Sequence, residues 1–124
     1  MQIFNPVLHI EFASELFCEE WKKVESMFEL RDEANVRKFL QDKRFLFEAV
    51  QKVGHDLLRF FPGCRLALEV LGLDDIGPEK LGITVITRLS PEELVNKMDA
   101  FIGEKIINLD WIIQSQIVIL DEFE

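Results

Sequence analysis

Few residues in this sequence have the type and spacing to do chemistry, and most of them gather around one loop. Glu69, Asp74, Asp75 and Glu79 fall at the end of a strand-like run and in the stretch after it, GLDDIGPEK at 72–80. Paired carboxylates supply the hard oxygen ligands that Mg²⁺ and Ca²⁺ prefer, so Glu69, Asp74 and Asp75 are the candidate metal ligands. In that role they would serve a small divalent-metal-dependent hydrolase or a nucleotide-handling enzyme. Their spacing is not that of a calcium loop, and the Gly-Ser turn and spaced acid pair of a nucleotidyltransferase are missing. Asp and Gly are also the usual formers of turns, so the competing reading is a solvated loop.

The nucleophiles and bases are scattered. His55 stands beside Asp56 on a helical stretch, but adjacent helical positions do not face each other, so they form no ready His–Asp pair. His9 lies near the start of the chain with nothing to place it. Cys18 and Cys64 are far apart and match neither a CxxC nor a zinc spacing. They read as reduced, buried small hydrophobes. Phosphate-binding glycine patterns are absent. No catalytic residue and no cofactor is assigned.

These groups would be positioned around one long amphipathic stretch. From Val36 to Phe61 apolar residues recur three or four apart, and Arg37, Lys38, Gln41, Glu48, Gln51, Lys52 and Arg59 fall between them, which is the helical period held for about seven turns. Pro62-Gly63 ends it. Before it, Ser14 would cap a helix whose stripe is Leu16, Phe17, Trp21, Val24, Met27 and Phe28. Residues 1–12 read as an extended lead-in, or as an earlier start of that helix near Val7. The two helices should form an antiparallel pair.

The strands follow. CRLALEVL at 64–71 and LGITVITRL at 81–89 each alternate one apolar face with a mixed one, and the loop between them makes a hairpin. Ser90-Pro91-Glu92-Glu93 is the clearest local signal: a capping serine, proline at the first helical position and glutamate at the third. That helix should reach about Lys105. Residues 106–113 are a ragged helix end or a packed connector, and IVIL at 117–120 is a last strand.

The fold expected is thus a single two-layer α+β domain over residues 1–124, in the order α-α-β-β-α-β. A small, mainly antiparallel three-stranded sheet of order 2-1-3 would be covered on one face by helices. The alternative places the third strand parallel to the second through a right-handed crossover.

Residues 60–111 resemble a small bacterial, cyanobacterial-type α+β protein family of unknown function. The resembling segments are FFPGCRLALEVL, LGITVIT and LSPEELVNKMDAFIGEKI, with Trp111 downstream. In such proteins a helix ends in a Phe-Pro or Phe-Gly turn, two strands follow, and a Pro-Glu-Glu helix ends in an aspartate–aromatic pair, covered here in part by Asp99 and Phe101. The resemblance implies fold and lineage and carries over no catalytic residue.

Composition narrows the function. With 14 basic and 23 acidic residues the chain carries a net charge of −9, which disfavours nucleic acid as a partner. No run approaches a membrane span and no signal peptide is visible, so no membrane partner and a cytoplasmic location are expected. Eleven phenylalanines and no tyrosine favour packing over ligand hydrogen bonding. The leading expectation is a non-enzymatic protein-interaction or regulatory module. It would be homo-oligomeric through the open sheet face or an unpaired edge, or would bind a basic protein. Phe4, Phe12, Trp21, Phe60 and Trp111 are the aromatics that would mark the contact.

Overall fold

The computed structural model describes residues 6–72 and 77–124, with the side chains of the first helix from Phe17 onward. The elements in order are α1 (Pro6–Met27), β1 (Glu29–Leu30), α2 (Glu33–Asp42), α3 (Leu46–Phe60), β2 (Arg65–Leu71) and β3 (Lys80–Thr87). Then come α4 (Pro91–Phe101), a π-helical turn (Ile102–Ile106), α5 (Trp111–Gln114) and β4 (Ile117–Phe123).

The expected long helix is two helices. Continued past Asp42, its stripe would bring position 43 into the core, and that residue is lysine. The chain breaks there instead. Lys43 lays its ammonium 4.5 Å from the Phe39 ring centroid and donates to Gln116 Oε1 at 2.6 Å. The stripe resumes in α3 with Leu46, Phe47, Val50, Val53 and Leu57, all buried. The helix before it starts at Pro6, so Ser14 lies inside α1 and does not cap it. Residues 1–5 lie outside the described residues.

The expected three-stranded, mainly antiparallel sheet of order 2-1-3, and with it the α-α-β-β-α-β order, is corrected by the structure. The described sheet has four strands in the order β1-β2-β3-β4. β2 and β3 pair antiparallel, Arg65 opposite Ile86 and Leu71 opposite Lys80, as the hairpin reading requires. The last strand runs parallel to β3, with Leu81 opposite Ile117 and Thr87 opposite Phe123. The edge of β2 that it was expected to take is already filled by β1, which pairs parallel with Ala67 and Leu68. Arg31 N–H extends that contact by donating to Leu68 O at 2.9 Å. Two residues are too few to show any alternation, so β1 leaves no periodic trace in the sequence.

One sheet face, with Leu66, Leu68, Val70, Leu81, Ile83, Val85 and Ile117, joins the apolar sides of α1, α3 and α4 in a single core. The helix after β3 is capped as read: Glu93 N–H donates to Ser90 Oγ at 3.3 Å. The Ser90 hydroxyl in turn reaches Glu93 Oε1 at 3.2 Å.

Of the described glycines, Gly54 sits at the tightest approach. A Cβ there would overlap Met27 Sδ and come within 2.8 Å of Phe28 Cζ, so α3 lies against the end of α1 only because this residue has no side chain. Gly54→Ala should therefore lower the stability by roughly 1–3 kcal/mol, as overpacking does. Gly103→Ala, where nothing lies within 4 Å, should be neutral or slightly stabilising. Urea unfolding of both variants beside the parent checks the pair. Equal stabilities would show that α1 shifts freely.

Candidate interaction surface

Of the predicted metal ligands, one lies among the described residues. Glu69 stands on the outer sheet face, its Oε1 3.8 Å from Arg31 Nη1. Asp74 and Asp75 lie outside the described residues. Glu79 is exposed at the rim of a small depression with Asn35, Lys38, Asp42 and Lys43. Among the described residues no three His, Cys, Asp or Glu side chains are grouped as a metal site would need. Arg31 uses its other nitrogen on Glu122, Nη2 donating to Oε2 at 2.8 Å.

That arginine decides the character of the outer face. It leaves the sheet after β1 and binds one acid on β2 and one on β4, bridging across the outer face. The paired residues midway between those acids are Ala67 and Thr84, both buried and both small. A second chain of ions runs alongside. Arg65 donates to Glu29 at 2.9 Å and lies 3.6 Å from Glu124, which is 3.7 Å from Arg88. Leu71 and Leu120 close over Gly82 in the same face. The expected open, half-apolar face is thus laced by ion pairs from edge to edge.

A second feature is an open cleft of about 510 Å³ lined by Phe17, Glu20, Lys23, Arg44, Phe47, Glu48 and Gln51. Its floor is aromatic: Phe17 meets Phe47 edge-on at 5.4 Å and stacks with Trp21 at 6.3 Å. Arg37 and Arg44 lie over the Phe17 ring at 5.7 and 5.4 Å, a favourable placement for a cation on a π face. Gln51 Nε2 donates to Glu20 Oε2 at 2.6 Å. This hydrogen bond, with help from Lys23, holds the Glu20 carboxyl below its ordinary value of 4.5 against the opposing effect of burial. Cations and carboxylates alternate around the rim, so the cleft favours no single ligand charge.

The third feature is apolar and open to solvent. Ile107, Trp111 and Ile112 are 65%, 75% and 46% exposed, and Phe123 at the far end of β4 is 72% exposed. Asp110 caps α5, its Oδ1 accepting from Ile112 N–H at 2.9 Å. Gln114 Nε2 donates to Leu109 O at 2.7 Å and Ile107 O at 3.2 Å. These bonds hold the short connector, with Leu109 and Ile113 packed on the core and Ile107, Trp111 and Ile112 facing outward. Of the aromatics singled out in the sequence, Trp21 is buried, Phe60 packs edge-on against Phe101 at 5.3 Å, and Trp111 is the one at the surface. Phe4 and the Phe12 side chain lie outside the described residues. Phe123 stands in the acidic tail beyond the IVIL run, and no alternation in the sequence marks it as part of the strand.

Cys18 is exposed and Cys64 half-buried, both as free thiols, and burial pushes the Cys64 thiol above its ordinary value. His55 is exposed on α3. Among the described residues no helix is long and apolar enough to cross a membrane. No protein-family model, curated protein or solved structure matches the chain.

Two outcomes follow from these contacts. The folded Glu20 carboxyl titrates below 4.5, so its contribution to stability is complete above that pH and is lost as the pH falls through the folded value. Gln51→Ala should move the Glu20 midpoint, followed by NMR, up towards 4.5. Arg31→Met should weaken the fold by about 1 kcal/mol or less, since the pairs it makes are partly exposed. That loss should shrink in urea titrations at ~1 M salt, where the screening length is about 3 Å. A loss that ignores salt would make Arg31 a packing residue.

Proposed function

We propose that this chain is a non-enzymatic protein-interaction module that works as an assembly, either with further copies of itself or with a basic protein. The observation that carries the reading is the exposure of Ile107, Trp111 and Ile112. Three large apolar side chains within six residues face water on a connector held rigid by its own hydrogen bonds. Keeping such a group exposed forgoes burial worth about 1.5–3 kcal/mol per residue, and a rigid apolar cluster with an aromatic anchor is the usual centre of a protein contact. The three arginines of the outer sheet face support the reading from the other side. Arg31, Arg65 and Arg88 are engaged with carboxylates of the same chain rather than held ready for a ligand. The two free thiols support a cytoplasmic setting.

Native mass spectrometry on untagged protein purified gently from its own host tests this. The expected result is a complex of protein chains that Trp111→Glu dissolves while leaving the urea midpoint unchanged. A monomer carrying a nucleotide or a divalent ion would overturn the reading in favour of an enzyme.

A further inference from the structure

Among the described residues one backbone edge of the sheet has no strand paired to it. Among the described residues β4 pairs only with β3. Leu81 N–H donates to Gln116 O at 2.8 Å and Glu124 N–H to Thr87 O at 2.9 Å. A strand alternates the direction of its peptide groups, so the even-numbered residues of β4 turn their backbone towards β3. The N–H and C=O groups of Ile117, Ile119, Asp121 and Phe123 then point away from the sheet. Seven residues of edge strand, four of them aliphatic, offer an unspent row of donors and acceptors.

We infer that this edge is where a second copy of the chain binds, through antiparallel β4–β4 pairing about a two-fold axis at Leu120. The inference rests on the interaction-module reading and names its partner. In this register all seven residues pair, and Leu120 faces its own copy. Three observations favour a second copy.

The first is charge. A net −9 domain should repel itself, yet Glu122 and Glu124 are bonded to Arg31, Arg65 and Arg88. Antiparallel pairing also sets Asp121 and Glu122 opposite Ile119 and Val118, never opposite another acid.

The second is the placement of the exposed apolar groups. Phe123 ends the strand, and Trp111 and Ile112 lie on the short helix that leads into it. Two-fold pairing puts the Phe123 of each copy opposite Ile117 of the other, at the end where α5 of that copy enters the strand. Both exposed groups then find cover twice. This matters because a stable interface buries about 1,200–2,000 Å² in total, more than one strand edge supplies, so the flanks must contribute.

The third is the geometry of the edge. β1 at the opposite side is two residues long and followed by the Arg31 crossing, so it offers no comparable row. A C2 contact needs the same patch on both copies, and an antiparallel edge is self-complementary by construction.

Two measurements on the purified full chain decide the matter. In sedimentation equilibrium with parallel hydrogen exchange, a concentration-dependent dimer is expected. The amides of Ile119 and Asp121 should exchange at least tenfold more slowly at high than at low concentration. In a Cys18→Ser, Cys64→Ala background, Leu120→Cys should form a covalent dimer with oxidised glutathione as oxidant. Leu120 would sit in a non-hydrogen-bonded pair, with Cα atoms about 4.5 Å apart, inside the roughly 4.4–6.8 Å that a disulfide accepts. Val95→Cys, exposed on α4, is the control and should remain largely monomeric.

A dimer whose β4 amides gain no protection, or equal cross-linking at 95 and 120, overturns the edge-pairing while leaving the module reading intact. A chain that stays monomeric alone, yet is recovered from its host bound to a basic protein, overturns self-pairing and assigns the exposed surface to that partner. Failure of both this experiment and the host preparation to show any protein complex removes the module reading as well.

Discussion

The crossing of α3 over the end of α1 is the constraint on which the rest of the structure depends. Gly54 lets the two helices close to contact, with Met27 and Phe28 filling the space a side chain would occupy. Once α3 is seated, its buried Leu46, Phe47, Val50, Val53 and Leu57 share one core with the inner faces of β2 and β3. Each such burial is worth about 1.5–3 kcal/mol, against a net stability of about 5–15 kcal/mol for a domain of this kind. The same crossing sets the chain after α1 beside β2. There Glu29 and Leu30 add a strand, and Arg31 begins its path across the sheet.

The outer face shows how an acidic chain can lace one side of a sheet with ion pairs. Ala67, Gly82 and Thr84 make a shallow centre. Arg31 and Arg65 are each bound to acids from two different parts of the chain. Exposed ion pairs add little stability one at a time. Their larger effect here is on charge distribution, since they tie down the acids of the C-terminal strand and use arginines that could otherwise hold an anionic ligand. Glu69, attractive in the sequence as a metal ligand, is part of this lattice. A carboxylate's chemistry depends on its nearest cation, and here that cation is Arg31, the residue after β1.

The connector between α4 and β4 takes the opposite course. A π-helical turn at Ile102–Ile106 ends α4, and α5 is only four residues long. A π turn places residues out of step with the α-helical stripe that precedes it. Phe101 is buried and Ile106 half-buried, whereas Ile102 and Ile107 turn outward. The sequence 106–113 looks too apolar to face water. The structure nonetheless exposes three of its large side chains, because the crossover must travel from the end of β3 back to a position parallel with it.

By itself the sequence determined the elements whose signals are local. The apolar stripe of α3, the Ser90–Glu93 cap, the β2–β3 hairpin and the last strand could all be read from period and punctuation, since each depends on residues within a few positions. The candidate surface was legible in part: Trp111 stood out as an aromatic without a stripe, and the unpaired edge was anticipated without its location. Tertiary structure alone decided the break at Lys43, the two-residue β1, the parallel placement of β4 and the capture of Glu69 by Arg31. These features turn on which distant group occupies a site. β1 occupies the edge of β2 and β4 lies on β3 instead, and Arg31 meets Glu122 across 91 residues of sequence. Periodicity carries no information about such competition. A strand edge or a carboxylate looks the same in sequence whether its partner arrives or not.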